Sequence, residues 1–377
     1  MAVGWRLPAR RSASKWIEVT LASVIAVLLL ASLTAVVQSA GATPTVKSTQ
    51  TARVLTTVPL TLGDGLPAAP PSPPPIAAPA PATTVASEAP KPVRTRTASP
   101  ARTGFAVAPN PGVAPYAGLG TWVDVYDWSA TYTREAGPQV GPETVDLMAA
   151  EGVQTLYIQA SKHDAPEDIL ERDRLEAIIS RAHTDGIRVV AWYLPTLVDP
   201  AADLRRLLAI ASLQVDGLAV DIEARNVTDV AERNRRLVQL SAELRAALPG
   251  RALGGIVLPP VVMEEVNPNY WPDFPWRDIA PFYDVWQTMG YWTNRKASSG
   301  WRDAYAYTME NVLRLRRNLG LPEAAVHPIG GIGDDTTPED LAGFHRAAVE
   351  SASMGGSLYD WRTTSAGLWP GLRPFRV

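Results

Sequence analysis

The chain has 377 residues, of which 46% are hydrophobic, a formal net charge of −3 and no cysteine. The lack of cysteine excludes disulfide bonds, zinc–thiolate sites and thiol catalysis. Residues 1–40 carry a net charge of +3 and residues 41–115 carry +4, which leaves −10 for residues 116–377. This acidic C-terminal part argues against nucleic-acid binding, because neutralising phosphates needs a basic surface.

The first predicted element is a membrane anchor. Fifteen of the 19 residues in 19–37 are apolar, and no charged residue lies between Glu18 and Lys47. This stretch is close to the roughly 20 residues that span a bilayer core. Basic residues in 1–18 keep that segment cytoplasmic under the positive-inside rule. We therefore expect a signal-anchor at 19–39 in the cell membrane and an extracytoplasmic C-terminal domain, which would instead be secreted if a signal peptide is cleaved near Ala42.

A linker follows the predicted anchor. Residues 41–115 contain 16 of the 34 prolines of the chain, among many alanines and threonines. Such a composition cannot form a hydrophobic core, and proline keeps the backbone extended. We therefore predict a disordered spacer over residues 40–115, which holds the remaining domain (116–377) away from the membrane.

The domain at 116–377 alternates between short strand patterns and amphipathic helix patterns. The predicted strands are residues 121–127, 153–161, 187–195, 217–224, 252–260, 283–292, 325–333 and 356–362. The helices predicted between them include residues 168–184, 201–213, 227–248, 304–319 and 338–353. Eight strands alternating with helices over about 250 residues are typical of a (β/α)₈ (TIM) barrel. An open doubly wound sheet is the alternative α/β fold, but no glycine-rich turn follows the first strand.

The fourth predicted strand carries the clearest chemical signal. Side chains alternate along a strand, so Ala219, Asp221 and Glu223 share one face, and their apolar neighbours share the other. We expect the acidic face to point into the barrel, at the carboxyl end of the strands where barrel enzymes have their sites. Two carboxyl groups held close raise one pKa, which keeps an acid protonated near neutral pH. The competing interpretation is that a cation such as Arg225 pairs with both acids and seals the rim.

The sequence from Asp216 to Glu223 resembles the strand-four motif D-G-x-D-x-D-x-E of glycoside hydrolase family 18, the chitinase family. The resemblance implies that Glu223 is the proton donor and that Asp221 orients the acetamido group of the substrate. Position 219 departs from the motif, since it is alanine where the family has its middle aspartate. Near the sixth strand, Tyr291 matches the family's M-x-Y-D, whereas Trp292 replaces its aspartate.

Two further segments extend the resemblance. Residues 356–361 resemble the last strand of family 18, whose tryptophan forms the floor of the sugar site, which places Tyr359, Asp360 and Trp361 near substrate. The N-terminal half is similar to the lysozyme-type glycoside hydrolase family 25, in which the first strand contributes an aspartate, here Asp124. Strand four of that family also ends in D-x-E.

Alternation along the other strands supplies the remaining candidates. Inward-facing or strand-end positions predict contacts to the sugar from Asp124, Tyr126, Gln159, Trp192, Gln287, Tyr291, Trp292, Tyr359, Asp360 and Trp361. Aromatic rings stack on sugar faces, although the same residues also serve as ordinary core packing. The four histidines show no ligand spacing, so we expect neither a metal nor a cofactor.

These features predict a membrane-anchored, extracytoplasmic O-glycosyl hydrolase that acts on a cell-envelope polysaccharide or peptidoglycan-type glycan. Glu223 is the expected general acid, with Asp221 assisting. The alternative function is a catalytically silent barrel that binds wall glycans as a scaffold. The replacements at Ala219 and Trp292 favour this second interpretation.

Overall fold

The structure, a computed structural model, describes residues 111–133 and 137–377. The predicted cytoplasmic segment, the anchor at 19–39 and the linker up to residue 110 lie outside these residues. Parallel strands alternate with helices along the described chain. The strands are β1 (Gly118–Val123), β2 (Thr155–Gln159), β3 (Arg188–Tyr193), β4 (Gly217–Ile222), β5 (Leu253–Val257), β6 (Val285–Thr288), β7 (Ala325–Val326), β8 (Ile329–Ile332) and β9 (Gly355–Tyr359).

Six helices of ten or more residues lie between the described strands. They are α1 (Pro142–Glu151), α2 (Arg172–Thr184), α3 (Pro200–Ala211), α4 (Val230–Ala247), α5 (Ala304–Leu319) and α6 (Pro338–Glu350). One-turn helices occur at Val125–Trp128, Trp276–Ile279 and Trp369–Leu372. The predicted helices therefore match α2 to α6, with boundary differences of up to four residues, and the link between β5 and β6 has only short helical turns.

The strands form a closed barrel of eight positions. All of them pair in parallel, in the order β7-β6-β5-β4-β3-β2-β1-β9-β8. Strands β7 and β8 are two halves of the seventh position, interrupted at Pro328, which has no amide hydrogen to donate to the ladder. A bridge between Met289 and Ile329 joins β8 to the end of β6 and closes the ring. The predicted (β/α)₈ barrel is thereby confirmed.

The first strand is shorter than predicted. It ends at Val123, and Asp124 begins the one-turn helix Val125–Trp128 as its N-cap. The Asp124 side chain accepts a hydrogen bond from the amide of Tyr126, and the Asp127 side chain accepts one from the amide of Asp124. This reciprocal capping box competes with strand geometry. The expectation that Tyr126 faces into the barrel from a strand is therefore wrong.

Tyr116 fills the amino end of the barrel. It ends the 3₁₀ helix Pro111–Tyr116, so the described domain includes residues assigned above to the linker. Its buried hydroxyl donates to the carbonyl oxygens of Leu218 (2.7 Å) and Ala252 (3.1 Å) and accepts from the amide of Leu218 (3.1 Å). Gly217 and Gly254 leave space for the ring, since a Cβ atom at either would lie within 3 Å of it.

A polar and aromatic layer lies above Tyr116. The rings of Trp122 and Tyr157 stack at 4.3 Å with an angle of 9°. His327 contacts the Tyr116 carbonyl at 2.8 Å and the Ser357 hydroxyl at 3.0 Å, while the Trp122 indole donates to the same hydroxyl at 2.8 Å. Burial lowers the pKa of His327 to about 4. This layer is therefore uncharged, and it separates the sealed end from the open carboxyl end.

No helix in the described ranges has both the length and the hydropathy needed to cross a membrane.

We predict that Tyr116→Phe destabilises the domain by about 1–3 kcal/mol, because it leaves buried backbone groups of β4 without their partner. Urea unfolding of the wild type and the variant measures this difference. Tyr305→Phe is the matched control, since that hydroxyl meets Glu350 at the surface. We expect the control to change stability by less than about 1 kcal/mol. An equally small effect of Tyr116→Phe would contradict the assigned role of the hydroxyl.

Candidate active site

The end of β4 places two acids at the carboxyl end of the barrel, which we call the mouth. Ala219 and Asp221 lie in the buried part of the strand, and Glu223 follows it, half-buried. Asp221 is 7% exposed, and its Oδ1 atom has no hydrogen-bond partner among the described residues. Burial raises the pKa of Asp221 well above its usual range, and the nearby charge of Glu223 raises it further. Burial also raises the pKa of Glu223. We call these two residues the strand-four pair.

No cation neutralises the strand-four pair in the described part of the chain. Neither carboxylate takes part in an ion pair there. The guanidinium of Arg225 instead lies over the ring of Tyr270, 4.8 Å from its centroid. The Tyr270 hydroxyl contacts the backbone oxygen of Glu223 at 3.4 Å. The interpretation in which Arg225 seals the acids does not match this geometry.

Three more carboxyl groups gather on the opposite wall, where β9 pairs with β1. Asp124, Asp127 and Asp360 each place a carboxylate oxygen within 4.8 Å of the others, and we call them the acidic triad. Burial, followed by the charges of Asp124 and Asp360, raises the pKa of Asp127 to about 8. Burial and the charge of Asp124 raise the pKa of Asp360 to about 6. Burial also raises the pKa of Asp124, against the opposing hydrogen bond from Tyr359.

Protein contacts hold the acidic triad in place. Arg362 makes an ion pair with Asp127 at 2.8 Å, and the Asp127 side chain is 1% exposed. The Tyr359 hydroxyl donates to Asp124 at 2.9 Å, and the Thr363 amide donates to Asp360 at 2.9 Å. Three carboxylates at this spacing have the oxygen ligands that Ca²⁺ or Mg²⁺ prefers. Because each already accepts a hydrogen bond from the protein, these contacts explain the cluster without an ion.

Two tyrosines lie between the triad and the strand-four pair. The rings of Tyr291 and Tyr359 are 5.7 Å apart, and Tyr359 is 6.5 Å from Trp122 in the layer below. Burial raises the pKa of Tyr291, and so do the charges of Glu223, Asp221, Asp360 and Asp124, in that order. Tyr291 is therefore within electrostatic reach of acids from both walls. This places the two carboxylate groups around one mouth.

Two predicted tryptophans pack against other aromatic side chains. Trp292 is fully buried and packs against Phe344 of α6 at 5.1 Å, over Gly330 and Gly331 of β8. Trp361 packs against Trp369 in the C-terminal helical turn, with ring centroids 5.1 Å apart. The predicted sugar contact of Trp292 is corrected to core packing. The ring that the last strand places among the acids is Tyr359.

The other predicted residues have different positions. Gln159 is buried, and its Oε1 accepts a hydrogen bond from the backbone amide of Val125 at 3.2 Å. Gln287 lies deep in the barrel, where its amide oxygen fills the space that a side chain at Gly254 would occupy. Trp192 is 5% exposed and lies 6.1 Å from Trp122. Tyr126 is 48% exposed beside the ring of Tyr132. Of these four, Trp192 and Gln287 have buried side-chain polar atoms with no hydrogen-bond partner among the described residues.

Sequence patterns do not point to Arg362 or Tyr270, although both shape the site. Arg362 follows the last strand, and its partner Asp127 precedes it by 235 residues. Tyr270 lies in the long segment between β5 and β6, which has no periodic pattern. The only sequence feature that links Arg362 to the site is its spacing of two residues from Asp360. Such a spacing is too common to identify a site residue.

No protein-family profile matches the chain, and no curated protein matches it in sequence. Comparison of the structure with solved structures does find similar barrels. The spore cortex-lytic enzyme SleL of Bacillus cereus superposes with a TM-score of 0.52 and 9% identity, over 69% of this chain and 74% of that one. A family GH18 chitinase from Cycas revoluta, in complex with allosamidin, gives a TM-score of 0.50 and 12% identity, over 68% and 99% of the two chains.

At such low identity this likeness shows the fold alone. The resemblance to family 18 barrels, drawn from the strand-four residues, is confirmed at that level. The similarity to family 25 and the role of each site residue stay predictions.

We predict that the unfolding free energy of Asp127→Asn decreases less with rising pH than that of the wild type. An acid whose pKa is raised from 3.8 to about 8 in the folded state stabilises the fold below about pH 4. This stabilisation is lost as the pH rises towards about 8, because the unfolded chain then releases the proton more easily. Between pH 5 and pH 8 the wild type should lose more unfolding free energy than the variant, by at least about 1 kcal/mol.

Urea unfolding at both pH values measures these losses. Asp146→Asn, which removes an exposed carboxylate on α1, serves as the control and should follow the wild type. Parallel losses in the wild type and in Asp127→Asn would show that Asp127 does not hold its proton in the folded state.

Proposed function

We propose that the barrel is a glycoside hydrolase acting on a polysaccharide of the cell envelope, with Glu223 as general acid and Asp221 assisting. The observation that carries this proposal is the strand-four pair. A buried and a half-buried carboxyl group lie side by side at the mouth, with no cation bound to either in the described residues. A raised pKa keeps a carboxylic acid protonated near neutral pH, which is what proton donation to a leaving group requires.

The proposed reaction adds one water across the glycosidic bond. The Glu223 proton passes to the glycosidic oxygen as the bond from that oxygen to the anomeric carbon breaks. Asp221 stabilises the positive charge that develops on the sugar, or orients an acetamido group of the substrate. Water then supplies the hydroxyl group at the anomeric carbon, and its other proton passes to the Glu223 carboxylate, directly or through a second carboxylate. The acid is thereby restored, and atoms and charge balance.

The acidic triad supports a second carboxylate role. Strands β1 and β9 lie across the ring from β4. Asp124 and Asp360 would therefore face a bound glycosidic bond from the wall opposite Glu223. A carboxylate there would activate the water or attack the anomeric carbon directly, and the distance between the two carboxyl groups distinguishes these routes. The half-buried rings of Tyr291 and Tyr359 would stack on the sugar, as flat aromatic side chains do on apolar faces.

Two further observations support the substrate class and location. Among the similar barrels, one is a cortex-lytic enzyme of spores and another is a chitinase, so the fold occurs in enzymes of structural glycans. The predicted anchor at 19–39 and the linker at 40–115 would place the barrel outside the cytoplasm, tethered to the cell membrane and within reach of the envelope. Cleavage near Ala42 would release the same domain.

A catalytically silent glycan-binding barrel is the second candidate, and Ala219 favours it. This residue is fully buried where family 18 has its middle aspartate, so one acid of that motif is missing. Against this candidate, a scaffold gains nothing from the acids of the strand-four pair, which no arginine of the described residues neutralises. Arg225 instead lies over the ring of Tyr270. The enzyme is therefore the better supported of the two functions.

We predict that Glu223→Gln lowers the rate of glycan hydrolysis by about 10²–10⁴-fold, the usual contribution of a positioned general acid. The full-length protein is assayed for new reducing ends from peptidoglycan and from acetylated and de-N-acetylated oligosaccharides. Glutamine keeps the shape of the side chain but cannot donate the proton.

The matched control is Glu243→Gln, on the exposed face of α4, which should keep the wild-type rate. Equal rates for Glu223→Gln and wild type would remove Glu223 from the mechanism. Binding without turnover by the wild type would favour the silent barrel.

A further inference from the structure

The mouth of the barrel gathers carboxyl groups with few cations beside them. The acidic triad and the strand-four pair together supply five carboxyl groups. Among the described residues, the ion pair between Arg362 and Asp127 is the only one that any of the five makes. The other nearby cations are engaged elsewhere, since Arg225 lies over Tyr270 and Lys162 pairs with Asp164 at 2.6 Å. A cationic ligand at this mouth would therefore meet carboxyl groups with few competing protein cations among the described residues.

One of these acids also lacks a hydrogen-bond donor. Asp221 is more than nine-tenths buried, and its Oδ1 has no partner among the described residues. A buried carboxylate without a donor is costly, because the protein interior does not replace the lost hydration. Since Asp221 lies on the inner face of the strand end beside Glu223, a donor that satisfies it would come from a ligand in the mouth. The chemistry of that donor follows from the surrounding charge.

A hydroxyl group would provide the donor but not the charge. A neutral acetamido group also leaves the excess of carboxylates as it was. An ammonium group does both, since it carries a positive charge and three N–H donors. In the low dielectric of a buried site, its attraction to carboxylates is much stronger than in water. Among sugars, the hexosamines that have lost their acetyl group carry such an ammonium.

We propose that this site takes a glycan with free amino groups, that is, a de-N-acetylated hexosamine polymer or segment, whose ammonium binds Asp221. This inference rests on the proposed function, because it names the substrate of the same mouth. An amine has no acetamido oxygen to act as nucleophile. Hydrolysis would then require a triad carboxylate to activate the water or attack the anomeric carbon, with Glu223 protonating the leaving oxygen as before.

Binding of an ammonium should release protons from the site, whereas binding of a neutral sugar should not. Burial and mutual repulsion hold the pKa of Asp360 at about 6 and that of Asp127 at about 8. A bound ammonium favours the ionised form of each carboxyl group near it. Arg362 is already charged, and Tyr270, Tyr291 and Tyr359 have pKa values raised above their usual range. Proton release on binding would therefore come from the carboxyl groups.

Calorimetric titration of the full-length protein with two probes tests the proposal, namely the tetramer of glucosamine and the tetramer of N-acetylglucosamine. At about pH 5, where its amines are protonated, the glucosamine tetramer should bind at least about tenfold more tightly. Titrations in two buffers of different ionisation enthalpy should show proton release with this probe alone. Asp221→Asn should reduce the preference at least about fivefold, whereas Asp146→Asn, which removes the same charge from the surface, should keep it.

The outcomes separate this inference from the proposed function. Equal or tighter binding of the acetylated tetramer overturns the inference, and hydrolysis of that tetramer by the wild type but not by Glu223→Gln would still support the enzyme. Preferred binding of glucosamine tetramer without hydrolysis supports the ligand class and overturns the enzyme. Proton release by Ca²⁺ with no preference for amines also overturns the inference. Asp360→Asn, on the opposite wall, replaces Asp221→Asn if that variant does not fold.

Discussion

The crowding of five carboxyl groups at one end of the barrel is the constraint on which the rest of the structure depends. Like charges at this spacing repel each other, and burial penalises each ionised form. The protein holds them there with a small number of fixed donors. The capping box of Asp124 and Asp127, the Tyr359 hydroxyl and the Arg362 ion pair together hold the acidic triad. The strand-four pair has no comparable set of donors among the described residues. We therefore propose that a ligand supplies a hydrogen-bond donor to it.

Closure of the barrel assembles the triad. Two of its members follow β1 and the third follows β9, so they meet because these two strands pair in parallel. The amide of Trp361 donates to the Trp122 carbonyl at the same junction, which fixes the two loops relative to each other. At the other end, Tyr116 ties β4 to β5 through its hydroxyl. A barrel sealed and rigid below can hold repelling groups above, since rigid strands cannot separate to relieve the repulsion.

Local pattern predicted the fold well but the site only in part. All eight barrel positions and Asp221–Glu223 follow from alternation along short strands, a signal that lies within a few residues. The capping box after Val123 shortened the first strand, because hydrogen bonds of Asp124 to nearby amides outweigh strand propensity. The positions of Trp292, Arg362 and Tyr270 depend on partners that are distant in sequence. Trp292 packs against Phe344 of α6, a contact that cannot be read from the residues around Trp292 in the sequence.

The two departures from the family 18 motif gain a physical meaning from this arrangement. The chain lacks acids at Ala219 and Trp292, and both positions are fully buried here. Acids on the opposite wall, Asp127 and Asp360, bring the mouth to five carboxyl groups. A site of this kind suits chemistry in which Glu223 protonates the leaving oxygen from one side while a carboxylate acts from the other, without help from an acetamido group.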